Sequence, residues 1–162
     1  MSRALIGKGG NDRIYTPEDV AQKIVDHFSP TGTILEPCRG QGAFYNAFPK
    51  ECTKLWCEID DGVDFFEFNE NVDWIITNPP YSQFRKFLQH SMEISTNVVF
   101  LCLINAIWMK ARLKDIQSAK FGIKEILPID TPETWPKFGL QVGVIWLQKL
   151  WLGDIKFNQC IK

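Results

Sequence analysis

Chemistry is most legible in this 162-residue chain at Asn78-Pro79-Pro80-Tyr81, which closes the apolar run Val72-Asp73-Trp74-Ile75-Ile76-Thr77. Two successive prolines remove two backbone donors and fix two φ angles, and each pushes the residue before it out of the helical region. Asn78 and Pro79 are therefore expected to be extended. The Asn78 side-chain oxygen and a neighbouring carbonyl would then form a rigid rim of acceptors beside the Tyr81 ring. A planar group bearing an NH2 suits such a rim, because it offers two protons and a flat face. Taken alone, the same residues also describe a strand end followed by a tight turn.

A second group precedes it. The short apolar strand Thr33-Ile34-Leu35 runs into Glu36-Pro37-Cys38-Arg39-Gly40-Gln41-Gly42-Ala43-Phe44, and Phe44, Ala47 and Phe48 suggest a brief helix. Strand, glycine turn and helix bring the backbone close to a ligand at the carboxyl end of a parallel sheet. Glu36 puts a carboxylate where a positively charged group of that ligand could meet it. The fingerprint Gly-x-Gly-x-x-Gly is not completed, since Tyr45 stands at its last glycine, so a pyrophosphate is disfavoured. Farther on, Glu58 follows the apolar stretch Lys54-Leu55-Trp56-Cys57, a position from which an acid accepts hydrogen bonds from ribose hydroxyls.

These residues need elements to hold them. Thr16-Pro17-Glu18-Asp19 predicts a helix start capped by Thr16, with Pro17 at the first helical position and an apolar face of Val20, Ile24 and Phe28. After the Asn-Pro-Pro-Tyr stretch, Ser82 is expected to cap a helix with the stripe Phe84, Phe87, Leu88 and Met92. The run 97–104 reads as a strand covered on both faces. A helix over 108–118, strands over 123–127 and 140–150, and the loop 130–139 between them complete an alternation that implies an α/β sandwich with a mostly parallel sheet. Residues 1–13, with Gly7-Lys8-Gly9-Gly10, read as a flexible arm, and residues 14–162 as a single domain.

Composition excludes several alternatives. Hydrophobic content of 45% with 23% charged residues is that of a globular domain, and no run approaches a membrane span. The N-terminus lacks a signal-peptide core, so a cytoplasmic location is expected. Five scattered cysteines and only His27 and His90 argue against a disulfide framework, a metal site or a Ser-His-Asp triad. Both histidines are expected to be structural. The formal charge of −1 announces no nucleic-acid partner globally, but Lys110, Arg112, Lys114, Lys120 and Lys124 gather with Asp115 as the only acid inside the span. That cluster is either a phosphate-tracking face or a solvated helix surface.

From Tyr15 to about Leu150 the chain resembles the class I S-adenosylmethionine-dependent methyltransferases, and among them the amino-methyltransferases with an Asn-Pro-Pro-Tyr motif. The order of Tyr15-Thr16-Pro17, the glycine turn, Glu58 and Asn78-Pro79-Pro80-Tyr81 is similar to one group of DNA adenine methyltransferases, and the compactness to phage-type ones. The resemblance implies a Rossmann-like three-layer sandwich with one antiparallel C-terminal strand. Only Ile59-Asp60-Asp61-Gly62-Val63 separates Glu58 from Asp64, which implies a sheet trimmed after its second strand. The implied cofactor is S-adenosylmethionine. Tyr15, Thr16 and Pro17 would approach its methionine end, and Glu36, Pro37, Cys38, Gly40 and Gly42, with Phe44, would form its loop. Glu58 would hold its ribose, Asp64 and Phe65 would meet its adenine, and Asn78 would border it. Asn78, Pro79, Pro80 and Tyr81 would hold the target amine, with Trp135 or Phe138 as a second stacking aromatic.

The implied reaction is methylation of an exocyclic amine, N6 of adenine in DNA ahead of RNA adenine or a protein glutamine amide. A catalytically silent cofactor-binding subunit is the rival from another class, and a nicotinamide dehydrogenase is disfavoured by the incomplete glycine fingerprint. With no separate target-recognition domain expected after Leu150, specificity would come from loops, a homodimer or a separate partner.

Overall fold

The structure is a computed structural model and describes residues 13–137 and 139–158. The expected flexible arm lies outside the described residues except for Arg13, and so do Phe138 and Cys160.

Seven strands form one sheet: β1 Thr33–Glu36, β2 Thr53–Trp56, β3 Val72–Thr77, β4 Ser95–Leu103, β5 Phe121–Pro128, β6 Val142–Lys149 and β7 Lys156–Phe157. Their spatial order is β2-β1-β3-β4-β6-β5-β7. β6 alone runs antiparallel to its neighbours, pairing with both β4 and β5, while the other pairings are parallel. The fold is thus the mostly parallel sandwich that the alternation predicts. The antiparallel strand is the sixth, and the two-residue β7 beside β5 was not foreseen.

Helices α1 Glu18–Phe28 and α2 Ala43–Ala47 cover one face, and α3 Phe84–Ile94 and α4 Lys110–Ser118 the other. The period-2 pleat sorts each strand between the two layers. Along β4, Val99, Leu101 and Leu103 pack with α1 and α2, whereas Val98, Phe100 and Cys102 pack with α3 and α4. β1 divides Ile34 from Leu35 in the same way, and β6 divides Val144 from Ile145. A strand buried on both faces needs apolar residues at every position, which is why β4 reads as an unbroken run.

Local departures have physical causes. Pro17 is the cap residue of α1 rather than its first helical residue, and no side chain caps that end; the Thr16 hydroxyl is engaged elsewhere. Gln83, not Ser82, caps α3, after the single-turn helix Tyr81–Gln83. Between β2 and β3 the chain makes only the single-turn helices Ile59–Asp61 and Phe65–Glu67, leaving β2 at the sheet edge as the short segment implies. The histidines serve packing: His27 Nε2 lies 2.6 Å from the buried Glu125 carboxylate, and His90 Nε2 2.8 Å from the Phe68 carbonyl. No described helix is long and apolar enough to cross a membrane.

Candidate active site

β1, β2, β3, β4 and β5 are mutually parallel, so the loops that follow them gather along one edge of the sheet. A cleft of about 590 Å³ opens there, within the range of small-molecule sites. Its wall includes Tyr15, Pro37, Cys38, Gly40, Glu58, Asp64, Phe65, Asn78 and Pro80, residues far apart in the chain that the sequence had singled out. A small chamber of about 40 Å³ beside it adds Thr16 and Glu36 and shares Tyr15, Cys38, Gly40 and Asn78.

The glycine loop is built for close approach. Gly40 has φ +53°, and a Cβ there would come within 3.2 Å of the Tyr15 ring. The Gly40 amide donates to Glu58 Oε2 at 2.7 Å, so the acid that ends β2 also holds the loop that follows β1. Gly42, φ +87°, caps α2 and donates to the Arg39 carbonyl at 2.8 Å. Left-handed backbone at both positions favours glycine, which answers why the turn is written Gly-x-Gly.

Glu36 is 3% exposed, and its Oε2 accepts from the Tyr45 amide at 2.7 Å. Burial pushes its carboxyl up to about 9, with the nearby Glu58 charge acting in the same direction and the Tyr45 amide and Arg39 opposing. Loss of hydration disfavours the ionised form unless a cation joins it. The chamber is thus suited to a positively charged group. Desolvation likewise pushes the Cys38 thiol up to about 12; its sulfur lies 3.1 Å from Thr77 Oγ1 and donates to the Asn78 main-chain carbonyl at 3.3 Å.

Asn78 is oriented by its partners. Its Nδ2 donates to the Ile14 carbonyl at 2.8 Å and to Thr16 Oγ1 at 3.3 Å. A carbonyl can only accept, so the amide cannot be flipped, and Oδ1 is left as the side chain's acceptor. This explains the absent helix cap, since the Thr16 hydroxyl is turned to Asn78. The segment 13–17 is pinned further by the Trp135 indole, which donates to the Tyr15 carbonyl at 2.8 Å, and by the Arg13–Asp60 ion pair at 2.7 Å.

Other expected residues line neither cavity. Phe44, expected in the cofactor loop, is 1% exposed and belongs to the core under α2. Pro17 and Gly42 shape backbone without lining either cavity, and Pro79 is buried. Tyr81 is half-buried against both core layers. Trp135 is 5% exposed, so it offers no stacking face and instead ties a late loop to Tyr15.

The cleft also includes residues not anticipated: Arg13, Arg39, Gln41, Ile59, Phe66, Gln83 and Phe87. Arg39 pairs with Asp61 at 2.6 Å and lies 3.8 Å over the Trp56 ring, so it braces β2. A positive residue inside a glycine turn was a usable signal for it. Ile59 is 66% exposed directly after the acid that ends β2, an apolar residue with no core to join.

No family model and no curated protein matches the sequence. Solved structures do match in fold. A protein from Listeria monocytogenes named as a class I S-adenosylmethionine-dependent methyltransferase superposes with a TM-score of 0.69 at 12% identity, covering 94% of this chain and 68% of its own. One from Pyrococcus horikoshii named as an RNA methyltransferase gives 0.60 at 18% identity, covering 83% of each chain. A modification subunit of a type I restriction enzyme from Vibrio vulnificus gives 0.64 at 16% identity, covering 95% of this chain and 48% of that one. At these identities the likeness concerns architecture: the chain has the Rossmann-like fold of class I methyltransferases, trimmed after β2.

Proposed function

We propose that this chain transfers a methyl group from S-adenosylmethionine, the expected cofactor of the fold, to an exocyclic amine, N6 of adenine in DNA. The observation that carries the reading is Asn78, whose amide protons are committed to Ile14 and Thr16 and whose Oδ1 remains an acceptor beside the cleft.

The chamber and cleft fit the cofactor on grounds of this chain's own chemistry. The buried Glu36 carboxyl suits the cationic end, Gly40 lets the Tyr15 ring lie directly on the loop, Glu58 suits a ribose, and the exposed Ile59, beside the largely buried Phe65, suits a flat base. When bound, S-adenosylmethionine supplies an electrophilic methyl on its sulfonium. The residues supply position: Asn78 Oδ1 and the Pro79 carbonyl accept hydrogen bonds from the two amine N–H groups, localise the nitrogen lone pair and aim it, and the proton that the methylated nitrogen must lose passes to water. Orientation of this kind is worth up to roughly 7–11 kcal/mol, and no strong base is needed beforehand. The Tyr81 ring is assigned to the flat face of the target. A base in duplex DNA must first be extruded, at a cost of about a few kcal/mol.

DNA is favoured by the Tyr15-Thr16-Pro17 element ahead of the glycine turn. The name of the Vibrio vulnificus neighbour, a modification subunit, agrees with that choice, and that of the Pyrococcus horikoshii neighbour makes RNA the comparison to run. Methyl-labelled cofactor incubated with duplex DNA, single-stranded DNA, RNA and protein extract is expected to label DNA adenine. Asn78→Ala is expected to lower transfer at least a thousandfold while cofactor affinity falls only about tenfold, the part owed to its bonds with Ile14 and Thr16. Transfer by that variant at near wild-type rate would overturn the assignment, and cofactor binding with no labelled polymer would favour a silent subunit.

A further inference from the structure

One exposed corner of the catalytic edge is not used by the cofactor cleft. β4 lies parallel to β3 with Thr77, the last residue of β3, opposite Phe100, so β4 runs on to Leu103 past the point where β3 gives way to Asn78. The chain then turns through the single-turn helix Ile104–Trp108 into α4. Trp108 is 47% exposed and Met109 58% exposed at this turn. The turn is held firmly: the Arg112 guanidinium donates to the Ala106 carbonyl and lies 4.6 Å over the ring of Phe84, three residues after Tyr81.

Charge is divided across the edge. On the β2 side stand Glu58, Asp60, Asp61 and Asp64, with Arg13 and Arg39 paired to two of them. On the β4 side, α4 presents Lys110 and Lys114, four residues apart and hence on one face, both exposed. The nearest acid in that helix, Asp115, is held by Arg85 through two hydrogen bonds of 2.6 and 3.0 Å. The next acids on this edge, Asp130 and Glu133, follow β5, with β6 lying between β5 and β4. A polyanion is therefore steered away from Glu58 and toward α4.

We propose that the Trp108 corner is a docking surface for the unpaired polynucleotide strand that flanks the target base, with Trp108 stacking on a neighbouring base and Lys110 and Lys114 meeting its phosphates. An exposed aromatic on a pinned turn beside two cations is the arrangement that binds single strands without reading their sequence. The inference rests on the proposed nucleic-acid substrate and adds where the strand runs.

The test is fluorescence anisotropy of a short labelled single-stranded oligonucleotide and its duplex across a salt series, alongside methyl-transfer kinetics. Trp108→Ala is expected to weaken single-strand binding about tenfold and to raise the KM for DNA similarly, with Trp108→Phe restoring most of both. Lys110→Ala with Lys114→Ala is expected to flatten the slope of log affinity against log salt by about 1.4 on single strands. Melting temperature and cofactor affinity should stay at wild-type values. The surface assignment is overturned if the wild-type protein binds neither oligonucleotide, or if both variants bind as wild type does. It is also overturned if Trp108→Ala changes only the sedimentation behaviour, which would make the corner a protein contact. Normal binding without methyl transfer by the wild-type protein would sink the proposed function and leave the surface standing.

Discussion

Glu36 shows how a single side chain can be unfavourable for the fold and useful for a site. Its carboxyl, shifted from 4.5 to about 9 mainly by burial, holds its proton more tightly in the folded chain than in the unfolded one. The sign follows: its contribution to stability is complete below about 4.5 and is lost as pH rises toward about 9, so the ligand-free protein should weaken over that window. The slope from one such group is at most about 1.4 kcal/mol per pH unit. Glu36→Gln keeps an acceptor for the Tyr45 amide and removes the titration. Thermal melts from pH 5 to pH 9 should therefore favour the variant increasingly as pH rises, while its affinity for S-adenosylmethionine falls about tenfold or more. Parallel melting profiles for the two proteins would contradict this account.

Among the elements, the segment 13–17 does the most with the least regular structure. It has no helix or strand of its own, yet Asn78, Trp135, Asp60 and the bare Gly40 backbone all fasten it over the cleft. Trp135→Phe keeps the ring in the core and deletes one hydrogen bond, worth about 1 kcal/mol net. The expected result is a cofactor affinity lowered about three- to tenfold by calorimetry, with a melting temperature lowered by only about 2–4 °C. Gly40→Ala attacks the same segment from below, since its Cβ must displace the Tyr15 ring from a left-handed backbone position. A larger loss of cofactor affinity than for Trp135→Phe is expected, again by calorimetry. The basic span resolves at this scale too. Arg112 is drawn onto Phe84, and Lys124 lies 3.9 Å over Trp146, so the two serve packing while Lys110 and Lys114 remain at the surface.

For the whole molecule, the decisive feature is that β6, late in the chain, lies between β4 and β5. Its register pairs Val99 with Trp146 on one side and Ile126 with Ile145 on the other. Without it, β4 would carry an unpaired edge at the middle of the sheet, and Leu101 and Val144 would lose each other. A chain ended after Gly139 is therefore expected to lose cooperative thermal unfolding and near-ultraviolet circular dichroism, even though every residue proposed to hold the cofactor is retained. A sharp melting transition in that truncated chain would show that the site-bearing half folds without β6.

Much of this was legible in the sequence because its causes are local. Apolar runs marked most of the strands, Gly40 and Gly42 after β1 marked the turn, and the two prolines after Asn78 stopped β3. The short link between Glu58 and Asp64 left no room for an ordinary helix, so the sheet is trimmed there. Tertiary structure decided what depends on partners distant in the chain. It turned the Thr16 hydroxyl from its own helix to Asn78, 62 residues away, and the Trp135 indole to Tyr15, 120 residues away. It buried Phe44, expected in the cofactor loop, and Trp135, expected as a stacking face, and left Trp108 exposed at the start of a predicted helix. Residue type sets how much free energy burial or exposure carries; which of the two a side chain meets is settled by the packing of the whole sheet and its helices.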